Sequence, residues 1–302
     1  MTYLSVMVLL TSAAIHVGWN LLGKRQHPSA AFMLVANTLG FLCLAPVLIV
    51  KGQVLAAFSP RVWLWLVATG LFQALYYAAL AGAYRSGELS VVYPLARSGA
   101  VVYVVLLNAL LGRGGQVTGR ALGGMALIVL GGFLLPLQRF GEVRLARYLE
   151  PATALALLAA LGTAGYSVVD DEALRILRQA PDLPGGPLVA TAAYSFFEGL
   201  ASSVWLAAVV LGRERGRADL RTVWRTQLGQ AALAGVGIYA AYTLVLLSMA
   251  FVSNVSYAVA FRQVSVPLGA VVGVLVLGDR PHWPKWVGVT FMFAGLVLVG
   301  LS

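Results

Sequence analysis

Two arginines stand where a bilayer would be dry. Arg97 and Arg262 each lie about ten residues into an apolar stretch long enough to cross a membrane, 87–113 and 252–280. An arginine at the centre of a spanning helix costs about 2.5–3.5 kcal/mol on insertion scales, so both need polar partners, water or a ligand. A guanidinium offers a two-pronged donor fork to a carboxylate or a phosphonate-like group, which makes anion recognition one reading. The other is interhelical bonding to the backbone carbonyls that Pro94 and Pro267 leave without a donor.

Helical spacing gathers further polar residues around them. Ser12, His16 and Asn20 recur every four residues in the first apolar run, and Thr163, Ser167 and Asp170 fall on one face of the sixth. In the fourth run Ser90, Arg97 and Asn108 lie within about 20° of one another, with Tyr93 one turn away. Glu198, on one face with Ser195 and Ser202, reads as the acidic residue nearest a span centre. It is the natural counter-ion for Arg97 or Arg262 and the candidate carboxylate for proton coupling. His16 is either a buried, hydrogen-bonded imidazole or a polar contact on the pathway. Trp19, Tyr77, Tyr93, Tyr166 and Tyr242 add apolar faces carrying polar atoms, a lining suited to small organic molecules.

The elements that must position these residues are membrane helices. Of the 302 residues 60% are hydrophobic and 11% charged, against about 25% charged in soluble domains. Ten spans are expected, at 2–22, 29–50, 62–84, 87–111, 120–137, 151–170, 187–211, 228–250, 253–277 and 284–301. They divide five and five. At an offset of 165 Tyr77 falls on Tyr242 and Arg97 on Arg262, and at 147 Gly18-Trp19-Asn20 falls on Gly165-Tyr166-Ser167. The expected fold is therefore all-α: two five-helix repeats, 1–140 and 141–302, in opposite orientation around a central cavity. Glycines at 119, 123, 124, 131 and 132 and at 288 and 295 mark close helix contacts, within the monomer or in a homodimer.

The net charge of +10 sits in short connections, where it acts on topology and lipid headgroups and does not suggest nucleic acid. Thirteen Lys and Arg lie on the side of the odd-to-even connections and six on the other, which puts both termini outside the cytoplasm. His16, His27 and His282 are too scattered for a metal site, and the one cysteine, Cys43, has no intrachain partner. H-E-x-x-H, G-x-S-x-G and nucleotide-binding glycine loops are all missing, so no catalytic residue, metal or cofactor is expected.

The A-A-I-H-V-G-W-N-L-L-G-K opening from Ala13, the S-G-E-L-S-V-V-Y-P-L-A-R stretch from Ser86 and the L-G-D-R exit followed by K-W-V-G-V from Lys285 resemble the drug/metabolite transporter superfamily, in particular its EamA-type members. The resemblance implies a basket of ten helices in the bacterial inner membrane that exports amino acids or other small metabolites. It points to Trp19, Tyr77, Tyr93, Arg97, Tyr166, Tyr242 and Arg262 as cavity residues. Gly112-Arg113 stands where the family often has Gly-Glu, and His16 where related small multidrug exporters carry an acid. The family keeps both termini cytoplasmic, opposite to the charge count. A flippase for a lipid or polyisoprenoid carrier is the second reading, and a membrane-embedded enzyme the third.

Overall fold

The computed structural model describes residues 1–23, 29–86, 89–141, 150–277, 280 and 282–302, excluding the side chains of 19–23, 89–91, 93–94 and 276–277. Every regular element among them is helical. The first half contains α1 (Tyr3–Gly23), α2 (Ala30–Leu42), α3 (Ala45–Lys51), α4 (Pro60–Ser86), α5 (Leu89–Leu110) and α6 (Gly119–Leu134). The second contains α7 (Pro151–Arg178), α8 (Gly186–Leu211), α9 (Glu214–Thr226), α10 (Leu228–Ser248), α11 (Val255–Phe261), α12 (Ser265–Leu277) and α13 (Trp283–Gly300).

Local chemistry sets several boundaries. Ser29 caps α2 by accepting from the Phe32 amide, Thr118 caps α6 through Ala121, and Asn254 caps α11 through Ser256, each satisfying a helix N–H that has no intrahelical partner. Proline opens α4 and α7, where its missing N–H costs nothing. Pro267 has the opposite effect. It cannot donate to the carbonyl of Gln263, and the chain tightens into a 3₁₀ turn at Arg262–Val264 between α11 and α12. Arg262 therefore stands at a break in a membrane helix.

Seven helical stretches among the described residues are long and apolar enough to cross a bilayer: Ala30–Ala57, Pro60–Ser86, Pro151–Arg178, Gly186–Leu211, Leu228–Phe251, Val255–Leu275 and Trp283–Gly300. Shorter apolar helical stretches run over Tyr3–Gly18, Leu95–Leu110 and Gly119–Leu134. The chain is a multi-pass membrane protein. Its perimeter exposes large apolar side chains, such as Leu64, Val67, Leu71, Leu106, Leu130, Val204 and Val297, as a lipid-facing surface requires.

Helix packing follows the small residues. α6 and α13 run together where a Cβ on Gly124 or Gly131 would meet the carbonyl oxygens of Gly295 and Gly288. α4 packs along α7 and α8, and α10 packs along α1 and α2. α5 lies on α7, α12 on α1, and α2 on α8.

Two expectations need correction. The sixth run does not end at residue 170, because α7 continues to Arg178. Asp170 is fully buried among hydroxyl donors, and Arg175 bonds back to Asp171 at 2.6 Å, so these acids extend the helix rather than ending it. The charged connection 212–227 is also a helix, α9, with Val223 buried and Trp224 and Arg225 exposed.

Candidate functional site

Neither mid-span arginine snorkels outward. Arg97 Nη2, on α5, lies 2.5 Å from His16 Nε2 on α1. A guanidinium has donors only, so Nε2 is the acceptor and the imidazole proton sits on Nδ1. Arg262 Nη1 reaches the hydroxyl of Tyr166 on α7 at 3.4 Å, and its guanidinium carbon lies 5.4 Å from the centre of the Tyr242 ring. Each arginine thus engages the first long helix of its own half. His16 is close enough to both to feel both charges.

A row of tyrosines leads away from Arg262. Tyr76 and Tyr77 have ring centres 5.1 Å apart, Tyr76 and Tyr166 6.0 Å, and Tyr166 and Tyr242 5.5 Å, the last two pairs edge to face. These rings come from α4, α7 and α10. Tyr77, Tyr166 and Tyr242 are buried, whereas His16, Arg97 and Arg262 are half-buried. Six expected site residues, His16, Tyr77, Arg97, Tyr166, Tyr242 and Arg262, therefore belong to one inner region. Trp19, Asn20 and Tyr93 are on α1 and α5, but their side chains lie outside the described residues.

Glu198 is placed differently from its expected pairing. It is fully buried on α8, and its Oε1 accepts from Gln73 Nε2 on α4; no ion pair joins it to either arginine among the described residues. Its acidic neighbour is Asp170, because Thr69 and Gln73, one turn apart on α4, donate to Asp170 and Glu198 respectively, and Tyr194, one turn before Glu198 on α8, also donates to Asp170. Asp170 accepts from Thr69 at 2.6 Å and Tyr194 at 2.9 Å through Oδ1, and from Tyr242 at 2.6 Å through Oδ2. Three helices, α4, α8 and α10, bring neutral donors to these carboxyls, so neither arginine touches Glu198 directly and Arg262 acts on it only through space.

Asp170 was placed on an inward face by sequence reasoning but not among the site residues. It was legible as part of the Thr163, Ser167, Asp170 stripe, but taking the span to end there put it at a helix terminus. Tyr194 was legible as one of the mid-span tyrosines, whereas Thr69 and Gln73 carried no comparable signal.

Two polar clusters flank this region. Asn37 Nδ2 lies within 3.0 Å of the Gly199 carbonyl, Ser202 Oγ and Ser203 Oγ, while its Oδ1 accepts from Tyr239 at 2.8 Å. Elsewhere Asn254 joins Asn108 and Gln116, and Arg113 meets Glu172 at 2.5 Å and Asp171 at 3.8 Å. Both tie helices of the first half to helices of the second. They fix the bundle around the arginines and tyrosines, whose fork donors and hydroxyls suit an organic solute carrying an anionic group.

No family model and no curated protein matches the chain. A solved crystal structure superposes on 98% of this chain and 96% of its own at a TM-score of 0.69, with 16% sequence identity. At that identity the likeness establishes a shared fold.

Proposed function

We propose that this protein is a secondary transporter of the EamA type within the drug/metabolite transporter superfamily. It moves a small anionic or zwitterionic metabolite, such as an amino acid, across the bacterial inner membrane by alternating access, in the direction of export. The single observation that carries this reading is the pair of mid-span arginines turned inward, Arg97 onto His16 and Arg262 onto Tyr166, with a row of tyrosines leading from Arg262.

The packing pattern supports the ten-span, two-repeat arrangement on which alternating access depends. Exchanging the first and second halves turns α4 on α7 into α10 on α1, and α4 on α8 into α10 on α2. It also turns α5 on α7 into α12 on α1, while α6 on α13 and α2 on α8 map onto themselves. A site on the axis of such an exchange faces either side as one half rocks against the other.

The test begins with a thermal-shift panel of amino acids and small carboxylates on purified protein, followed by counterflow in proteoliposomes. The expected result is that at least one solute raises the unfolding temperature and exchanges across the bilayer. Arg97→Ala and Arg262→Ala should each weaken it about 10- to 100-fold, the worth of a hydrogen bond to a charged group. Unchanged affinity in both variants removes the arginines from recognition, and exchange of no solute at all removes the transporter.

A further inference from the structure

Around Asp170 and Glu198 hydrogen-bond donors fall short of acceptors. Both carboxyls are fully buried, Asp170 on α7 and Glu198 on α8. Asp170 has three hydroxyl donors, but Glu198 Oε2 and Gln73 Oε1, both shut off from solvent, have no donor among the described residues. The two carboxyls lie side by side: Thr69 and Gln73, one turn apart on α4, donate to Asp170 and to Glu198 respectively, and Tyr194, one turn before Glu198 on α8, donates to Asp170. Two carboxyls buried side by side cannot both be ionised, so one of them holds a proton. Turning the Gln73 amide over does not remove the need, because its oxygen would then face Glu198 Oε1, again acceptor against acceptor.

We propose that Asp170 and Glu198 form a proton-binding site that holds one proton between them and exchanges it during the transport cycle, with Tyr242 linking that proton to the occupancy of Arg262. The proposal rests on the transporter reading for its cycle but not for the proton itself. On release, the O–H bond at the Glu198 carboxyl breaks and the proton passes to water admitted when the pathway opens, leaving two carboxylates; on uptake the reverse occurs.

Charge on the facing elements sets the sign of the coupling. α4 presents Tyr77, α8 presents Tyr194, α10 presents Tyr239 and Tyr242, and the break between α11 and α12 presents Arg262, the cation that acts on Glu198. With one proton bound, the pair carries a single negative charge that Arg262 balances. An anion held by Arg262 neutralises that cation, so anion binding and proton binding favour each other, reciprocally. Tyr242 lies in between, with its ring under Arg262 and its hydroxyl on Asp170.

Infrared spectroscopy of the purified protein in lipid nanodiscs tests the proton without any substrate. The wild type should show a carboxylic-acid C=O stretch of a dry, protonated side chain that shifts in D₂O. Glu198→Gln and Asp170→Asn, which replace an acid by an amide of the same shape, should each abolish it while keeping the circular dichroism of the wild type. Tyr242→Phe, which removes one donor, should keep the band but move its frequency, so the assignment survives even if an acid variant fails to fold. A wild type without the band, or a band indifferent to all three substitutions, overturns the proposal. For coupling, proteoliposomes loaded with a mixture of radiolabelled amino acids receive a pH gradient as the only driving force. Wild type should respond to it, and Glu198→Gln should exchange the mixture without responding. A Glu198→Gln response equal to the wild type overturns the coupling. Absence of any exchange tells against the transporter, and the infrared band then decides the proton site alone.

Discussion

The Arg262 guanidinium lies 5.4 Å from the centre of the Tyr242 ring, and the hydroxyl of that ring donates to Asp170 Oδ2 at 2.6 Å. One side chain thus faces a cation with its π-surface and an acid with its edge. The two contacts separate by substitution. Tyr242→Phe keeps the ring and removes the donor, so it should lower stability by about 1–3 kcal/mol, the cost of leaving a buried acceptor short of a partner. Tyr242→Leu removes the cation–π contact as well and should cost about 0.5–2 kcal/mol more. Denaturant or thermal unfolding in detergent checks the order, and equal loss in both variants means that the ring face contributes nothing.

His16 accepts from Arg97 at 2.5 Å, which makes an acceptor at position 16 a requirement of the folded site. His16→Gln supplies an acceptor in another shape and should retain most folded protein. His16→Leu supplies none and should destabilise by about 1.5–3 kcal/mol, the range for a hydrogen bond to a charged group. Size-exclusion yield and unfolding temperature of the two variants report the difference. Equal behaviour would mean that Arg97 does not depend on His16.

The helices were legible in the sequence because bilayer thickness leaves little freedom in the length of an apolar run. Expected runs such as 187–211 and 228–250 correspond to α8 at Gly186–Leu211 and α10 at Leu228–Ser248. The inner arginines and tyrosines were legible for a related reason, since polarity in such a run has few places to go. What failed depended on contacts between helices. Asp170, Asp171 and Glu172 read as a helix exit, yet hydroxyls from α4, α8 and α10 and the guanidinium of Arg113 hold them inside or against α7. One signal went unused: Gly70 and Gly235 share the 165-residue offset of the two arginines. A Cβ on Gly70 would strike Ala201 of α8, and one on Gly235 would strike Ala36 of α2, which are equivalent seams under exchange of the halves.

The seam between α6 and α13 makes a prediction with an internal control. A Cβ at Gly131 would lie 2.6 Å from the Gly288 carbonyl oxygen, whereas one at Gly123, two turns earlier, would meet nothing within 4 Å. Gly131→Ala should therefore force the helices apart and cost about 1–3 kcal/mol or more. Gly123→Ala should be neutral or stabilise by up to about 1 kcal/mol through the lost flexibility of glycine in a helix. Comparison of unfolding temperatures decides it, and similar losses in both would place the cause in the glycines themselves rather than in the seam.

Helix α9 turns the arginine count into a topology experiment. It stands between α8 and α10, carries Arg215, Arg217, Arg221 and Arg225, and leaves Trp224 exposed. Arginines flanking spans are held on the cytoplasmic side, so α9 should lie there. In a chain of ten spans the start of α4 then faces the opposite side, together with both termini. Cys43 is the only cysteine, so Cys43→Ser gives a background for single-site labelling. In intact cells a membrane-impermeant maleimide should modify Arg61→Cys, at the exposed start of α4, and should modify Arg221→Cys only after permeabilisation. The reverse pattern puts the termini in the cytoplasm and makes α9 an exception to the charge rule. Labelling of both sites from one side would mean that an odd number of crossings cannot separate them, contrary to the ten-span arrangement.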